Sequence, residues 1–160
     1  MSRRHNAGFT LIEMVVVVAV MAILVTIAVP SFKDMLLGTR VRTTASDLLQ
    51  AVMLARSEAI KRSASVDVTP AAGGWAQGWS VTVGGVTIET HEAPGSVSID
   101  ANAAGSITFR LDGRVSTGVR SLTVYTTEAT SNIAARCILI DASGRPTIRT
   151  DSDTNPANGC

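Results

Sequence analysis

Between Phe9 and Val29 the chain is an almost unbroken apolar run, and from Met14 to Val29 its only polar residue is Thr26. As a helix this run covers roughly 30 Å, the thickness of one bilayer core. Arg3 and Arg4 precede it, so the N-terminal end is expected to stay in the cytoplasm and the rest to lie outside. A cleaved secretory signal fits poorly, because the run is long and no small-x-small site follows it. The nearest candidate, "AVPSF" around Ala28, leads straight into more helix. A plain membrane anchor fits better, except for one residue. Glu13 sits near the start of the run, where a carboxylate in hydrocarbon costs roughly 2.5–3.5 kcal/mol. A chain that keeps this charge is expected to use it.

Outside the run the chain reads as soluble protein. Its 160 residues suit one membrane segment and one modest domain, and with aromatics at 4% the domain core must rest on Val, Ile, Leu and Ala. A formal charge of +1 implies no bulk affinity for nucleic acid. The two cysteines, Cys137 and Cys160, allow one disulfide made in an oxidising compartment or two unrelated thiols in a reducing one. An export segment ahead of them and a polar "TDSDTNPANGC" tail favour the disulfide. Such a bridge would contribute roughly 3 kcal/mol and tie down the tail.

The order Gly8-Phe9-Thr10-Leu11-Ile12-Glu13, after a basic leader and before a long apolar helix that reaches Pro30, resembles the type III signal of type IV pilins and pseudopilins. The resemblance implies that residues 1–8 are a leader removed by a prepilin peptidase between Gly8 and Phe9. It also implies N-methylation of Phe9, and passage from the inner membrane, with the head in the periplasm, into a filament. It further implies that Glu13 pairs with the N-terminal amine of a neighbouring subunit. Two charges that are each costly in lipid can offset one another when a partner arrives.

Proline removes a backbone donor, so the helix is expected to kink or melt locally at Pro30. Residues 31–62 return to helical periodicity. Ala45, Leu48, Leu49, Val52, Met53, Ala55, Ala59 and Ile60 form one apolar stripe, with Arg42, Asp47, Glu58, Lys61 and Arg62 on the other face. Gly38-Thr39 is a weak point for bending. After Ser63 come "ASVDVTP", "GWSVTV", "GVTIET", "GSVSID", "SITFRLDGRV", "SLTVYTT" and "RCILID", each alternating or β-branched, with glycine-bearing turns between them. The expected fold is α+β: a long N-terminal hydrophobic helix (9–30, then its amphipathic half, 31–62) packed on a β-rich antiparallel head, 63–160.

Four stretches narrow the class. "LARSEAIKR" (54–62), "GGWAQGWSVTV" (73–83), "ITFRLDGRV" (107–115) and "CILIDASGRPTIR" (137–149) resemble the GspH/FimT class of minor pilins and pseudopilins, FimU-like or FimT-like. This implies partnership with other minor pilins and the major pilin in a tip complex that primes assembly, with type II secretion as the variant use of the same parts. FimT-like members also suggest DNA as a partner. Here Gly144-Arg145 and Arg149, with Arg136 and Arg120, are the candidate phosphate contacts. The second arginine stands two places later than in that motif, and Asp141, Asp151 and Asp153 lie nearby. Each residue also has a plainer reading: Trp75 and Trp79 as core, Gly113 as a hairpin turn, Arg56 and Glu58 as a solvated or locally paired helix face. His5 falls in the leader and His91 in a turn-like "ETHEAPG". With no nucleophile–base arrangement, phosphate loop or metal-ligand spacing, neither an enzyme nor a cofactor or metal site is expected.

Overall fold

A computed structural model describes residues 9–92, 94–128 and 133–151, apart from the side chain of Thr117. The expected leader with Gly8, and Cys160 with its tail, lie outside the described residues. The chain divides into two compact units, one ending at Met35 and the other beginning at Leu36.

The helix α1 runs from Leu11 to Arg62. Helical backbone continues through Pro30, so the anticipated local melting does not occur. Proline holds φ near the helical value, so helical backbone can continue through it although its ring lacks the N–H and crowds the carbonyl one turn earlier. The backbone is likewise helical at Gly38 and Thr39. In the first unit every side chain from Leu11 to Val29 is exposed, and this part of α1 is long and apolar enough to cross a membrane.

Among the described residues the second unit carries nine strands in two antiparallel sheets. These are β1 (Val66–Ala71), β2 (Gly74–Val83), β3 (Val86–Glu92), β4 (Val97–Ala101), β5 (Ile107–Phe109), β6 (Val115–Gly118), β7 (Ser121–Thr126), β8 (Arg136–Ile140) and β9 (Pro146–Thr150). One sheet has the order β3-β2-β1-β5-β6 and the other β4-β7-β8-β9. All seven expected strand segments are present. "SITFRLDGRV" is not one strand: it folds at Arg110–Arg114 into β5, a turn and β6. The extra strand β9 comes from "PTIRT", whose β-branched residues extend it along β8.

From Leu37 onward α1 buries Val41, Thr44, Ala45, Leu48, Ala51, Val52, Ala55 and Ala59, a repeat of three and four residues that keeps one face on the sheets. Four of these are alanines, small enough to let strands come close. One core joins this face to Val66, Val68, Ile107, Phe109, Leu122, Val124 and Ile138. Trp75 and Trp79 belong to it, as the plainer reading had them. The stripe read from periodicity needs three corrections. Met53 and Ile60 lie beyond its edge, 54% and 49% exposed, because the sheets cover a narrower arc than the apolar residues span. Glu58, placed on the solvated face, is only 9% exposed. It is paired locally, the other reading given for it, with Lys61 and Arg62 one turn ahead.

Candidate functional site

The first candidate region is the start of α1. Thr10 is the N-cap and Glu13 the third helical residue, the arrangement of a capping box. The Glu13 backbone N–H donates to Thr10 Oγ1 at 3.3 Å, and the Thr10 N–H reaches Glu13 Oε2 at 3.5 Å. Glu13 therefore has a local use that sequence reading missed, although Thr-x-x-Glu before an apolar run spells it out. The carboxylate and Phe9 are both exposed at this helix end, so both remain open to a partner.

The second region lies in the head, where three of the four class-bearing stretches meet. The turn between β5 and β6 closes through Gly113 N–H to Arg110 O (2.7 Å) and Arg110 N–H to Arg114 O (2.8 Å). The turn between β8 and β9 repeats the plan: Gly144 N–H donates to Asp141 O at 2.9 Å and Asp141 N–H to Arg145 O at 3.2 Å. Both glycines have positive φ, 75° and 79°. They are packed as well as bent. A Cβ on Gly144 would lie 2.0 Å from the Gly113 carbonyl oxygen, and one on Gly113 would lie 2.6 Å from Ile60 Cδ1. Arg56 completes the junction by donating its Nε–H to that same Gly113 carbonyl at 3.2 Å. Gly113 is thus more than a hairpin turn, and Arg56 more than a solvated face.

Charges around the junction are held locally. The Ser143 hydroxyl (2.7 Å) and the Arg145 N–H (2.9 Å) donate to Asp141 Oδ1. The hydroxyl above all, with the backbone N–H, holds the Asp141 carboxyl below its usual range. Glu58 is held low in the same way, first by Arg62 Nε at 2.5 Å, with Lys61 Nζ at 3.4 Å. A carboxyl whose pKa is depressed on folding adds stability above its unfolded pKa and loses it as pH falls through the folded one. The melting temperature of the head is therefore expected to fall as pH drops from about 5 toward 3, with a shallower fall in Asp141→Asn. A pH series of thermal melts checks this.

The four arginines singled out for DNA do not converge. Arg145 stands in the turn before β9, and Arg120 pairs its carbonyl with Ile140 N–H at the same end of the sheet. Arg136 and Arg149 sit at the far end, opposite Thr150 and Cys137, roughly 13 Å further along the strands. Residues 136 and 137 of β8 point to opposite faces, so Arg136 and Arg149 do too. Arg136 Nη1 is moreover spent on Thr150 Oγ1 at 2.5 Å. Cys137 is buried on β8, and its expected partner, Cys160, lies outside the described residues.

His91 is not in a loop. It lies on β3 opposite Trp79, stacks on that ring at 4.9 Å and 19°, and meets Glu89 Oε1 at 2.6 Å. Among the described residues, no group of three His, Cys, Asp or Glu is placed to hold a metal ion.

Comparison with known proteins agrees with both regions. A family model described as type II transport protein GspH matches residues 44–144, and one described as the prokaryotic N-terminal methylation motif matches residues 3–29. Among solved structures, the type IV minor pilin FimU of Pseudomonas aeruginosa is similar in two crystal forms. The first has a TM-score of 0.61 and 17% identity, covering 73% of this chain and 96% of that one. The second has a TM-score of 0.55 and 16% identity, covering 71% and 99%. These likenesses show the fold, a pilin fold with structural rather than enzymatic relatives. The GspH match spans more than half of the chain and the methylation motif covers the start of its apolar helix: the chain belongs to the GspH family and has a pilin fold headed by an N-terminal methylation motif.

Proposed function

We propose that the chain is a minor pilin of the tip complex that primes type IV pilus assembly. A prepilin peptidase cuts between Gly8 and Phe9, Phe9 is N-methylated, and Glu13 receives the amine of a neighbouring subunit as the helix leaves the inner membrane. The observation that carries this reading is the exposed N-terminal turn, where Phe9 and a capped but accessible Glu13 lead an apolar helical segment exposed from Leu11 to Val29. The head contributes a rigid partner-facing surface, with Cys137–Cys160 fastening the tail. The fold shared with FimU goes with a pilus role, and type II secretion, named in the family description that matches residues 44–144, is the alternative. The scattered placement of Arg120, Arg136, Arg145 and Arg149 favours protein partners over DNA. Deleting the chain should lower surface pili several-fold while leaving protein secretion unchanged. A secretion defect with normal piliation would instead assign it to the type II system, and DNA binding by the head that falls on Arg145→Ala would favour DNA capture.

A further inference from the structure

Beside the Gly113–Gly144 junction the head carries an open groove of about 400 Å³, lined by Met53, Arg56, Ser57, Ile60, Arg145 and Pro146. Its floor is apolar. Met53 and Ile60, two turns apart on α1, expose about half their surface there, where a polar residue would cost nothing. Among the described residues its two charged lining side chains are both arginines, and no carboxylate lines it. Arg56 is fixed in advance by its bond to Gly113 O. The Asp141 carboxylate, four residues before Arg145, accepts from the Ser143 hydroxyl and the Arg145 backbone N–H through Oδ1 and also interacts with the Arg145 charge, but it does not line the groove.

From this geometry we propose that the groove docks a segment of another filament subunit that presents a carboxylate beside an apolar side chain. The proposal rests on the reading of the chain as a filament subunit and adds the chemistry of one of its contacts. An apolar floor rewards burial of a side chain such as Leu or Phe, and a guanidinium pair complements one carboxylate in a partly desolvated rim. Arginine is the cation suited to that task, since its planar fork meets both carboxylate oxygens. A phosphate backbone would gain from the charges and nothing from the floor, so a protein segment fits better than nucleic acid.

The test uses the full chain in its native cells, with a photo-crosslinking residue in place of exposed Ser57. Irradiation should give an adduct to another pilin-type subunit, mapped by mass spectrometry to a peptide with Asp or Glu within three or so residues of an apolar side chain. Arg145→Glu should lower the adduct at least about fivefold at unchanged membrane level, and reversing the partner's carboxylate to Arg should restore it. Arg145 is exposed, so this variant tests the contact without disturbing the core. The proposal fails if the chain enters filaments but gives no adduct, gives one indifferent to Arg145→Glu, or crosslinks to DNA. If the chain never reaches the filament fraction, the pilin reading falls and takes the groove with it.

Discussion

Glu13→Ala is expected to reduce the chain's presence in sheared filaments more than tenfold while leaving its level in the membrane unchanged. The reason is electrostatic. An amine and a carboxylate that meet in a low-dielectric filament core lose hydration in common, whereas either one alone in lipid remains uncompensated. The structure adds a rival cause, because the same carboxylate closes the capping box with Thr10. Losing a cap costs about 1 kcal/mol and frays the first helical turn, which would by itself misplace the N-terminus. Glu13→Gln separates the two. Glutamine serves at the third position of a capping box but carries no charge. If the charge is what matters, Glu13→Gln assembles as poorly as Glu13→Ala, and Thr10→Ala retains most assembly. If the cap is what matters, Glu13→Gln assembles nearly normally and Thr10→Ala fails.

The second large effect concerns the head. Gly144→Ala is expected to destabilise it by about 3 kcal/mol or more, lowering its melting temperature by roughly 10 °C. Two costs coincide there. A non-glycine residue at φ 79° is strained by about 1 kcal/mol, and the new Cβ would fall 2.0 Å from the Gly113 carbonyl oxygen. That obstacle is backbone, so no side-chain rotation relieves it, and Phe109 Cε1 at 3.2 Å blocks the other direction. Gly84→Ala is the control. It has a positive φ of 56° with open space around it, and should cost only about 1 kcal/mol. Equal melting temperatures for the two variants would show that the turns do not pack as described.

Much of this architecture was legible in the residues, because its causes are local. Alternating β-branched runs between glycine turns mark strands wherever they occur, and the 3.6-residue period between Ala45 and Ala59 gives the buried face of α1. What stayed hidden depends on distance in space. Periodicity states where the apolar face is centred but not how wide an arc the sheets cover, so Met53 and Ile60 looked like core and are groove floor. Nothing in "LARSEAIKR", "LDGRV" or "ASGRP" taken singly shows that Arg56, Gly113 and Gly144 meet, since the contact joins segments more than 30 residues apart. His91 looked like a loop residue because Pro94-Gly95 follows it closely, yet pairing with β2 carries β3 through Glu92 and lays the imidazole on Trp79. The N-terminal turn failed in the opposite way. Thr10 and Glu13 belong to the resembled processing signal and also form a capping pair, and the first role masks the second.

The proposed filament role requires that this helix be processed and carried into a filament. Its most direct test is mass spectrometry of the chain's N-terminal peptide from purified filaments. The result expected is a peptide that begins at Phe9 with a methylated amine. A chain found only in the membrane, with residues 1–8 still attached, would contradict it.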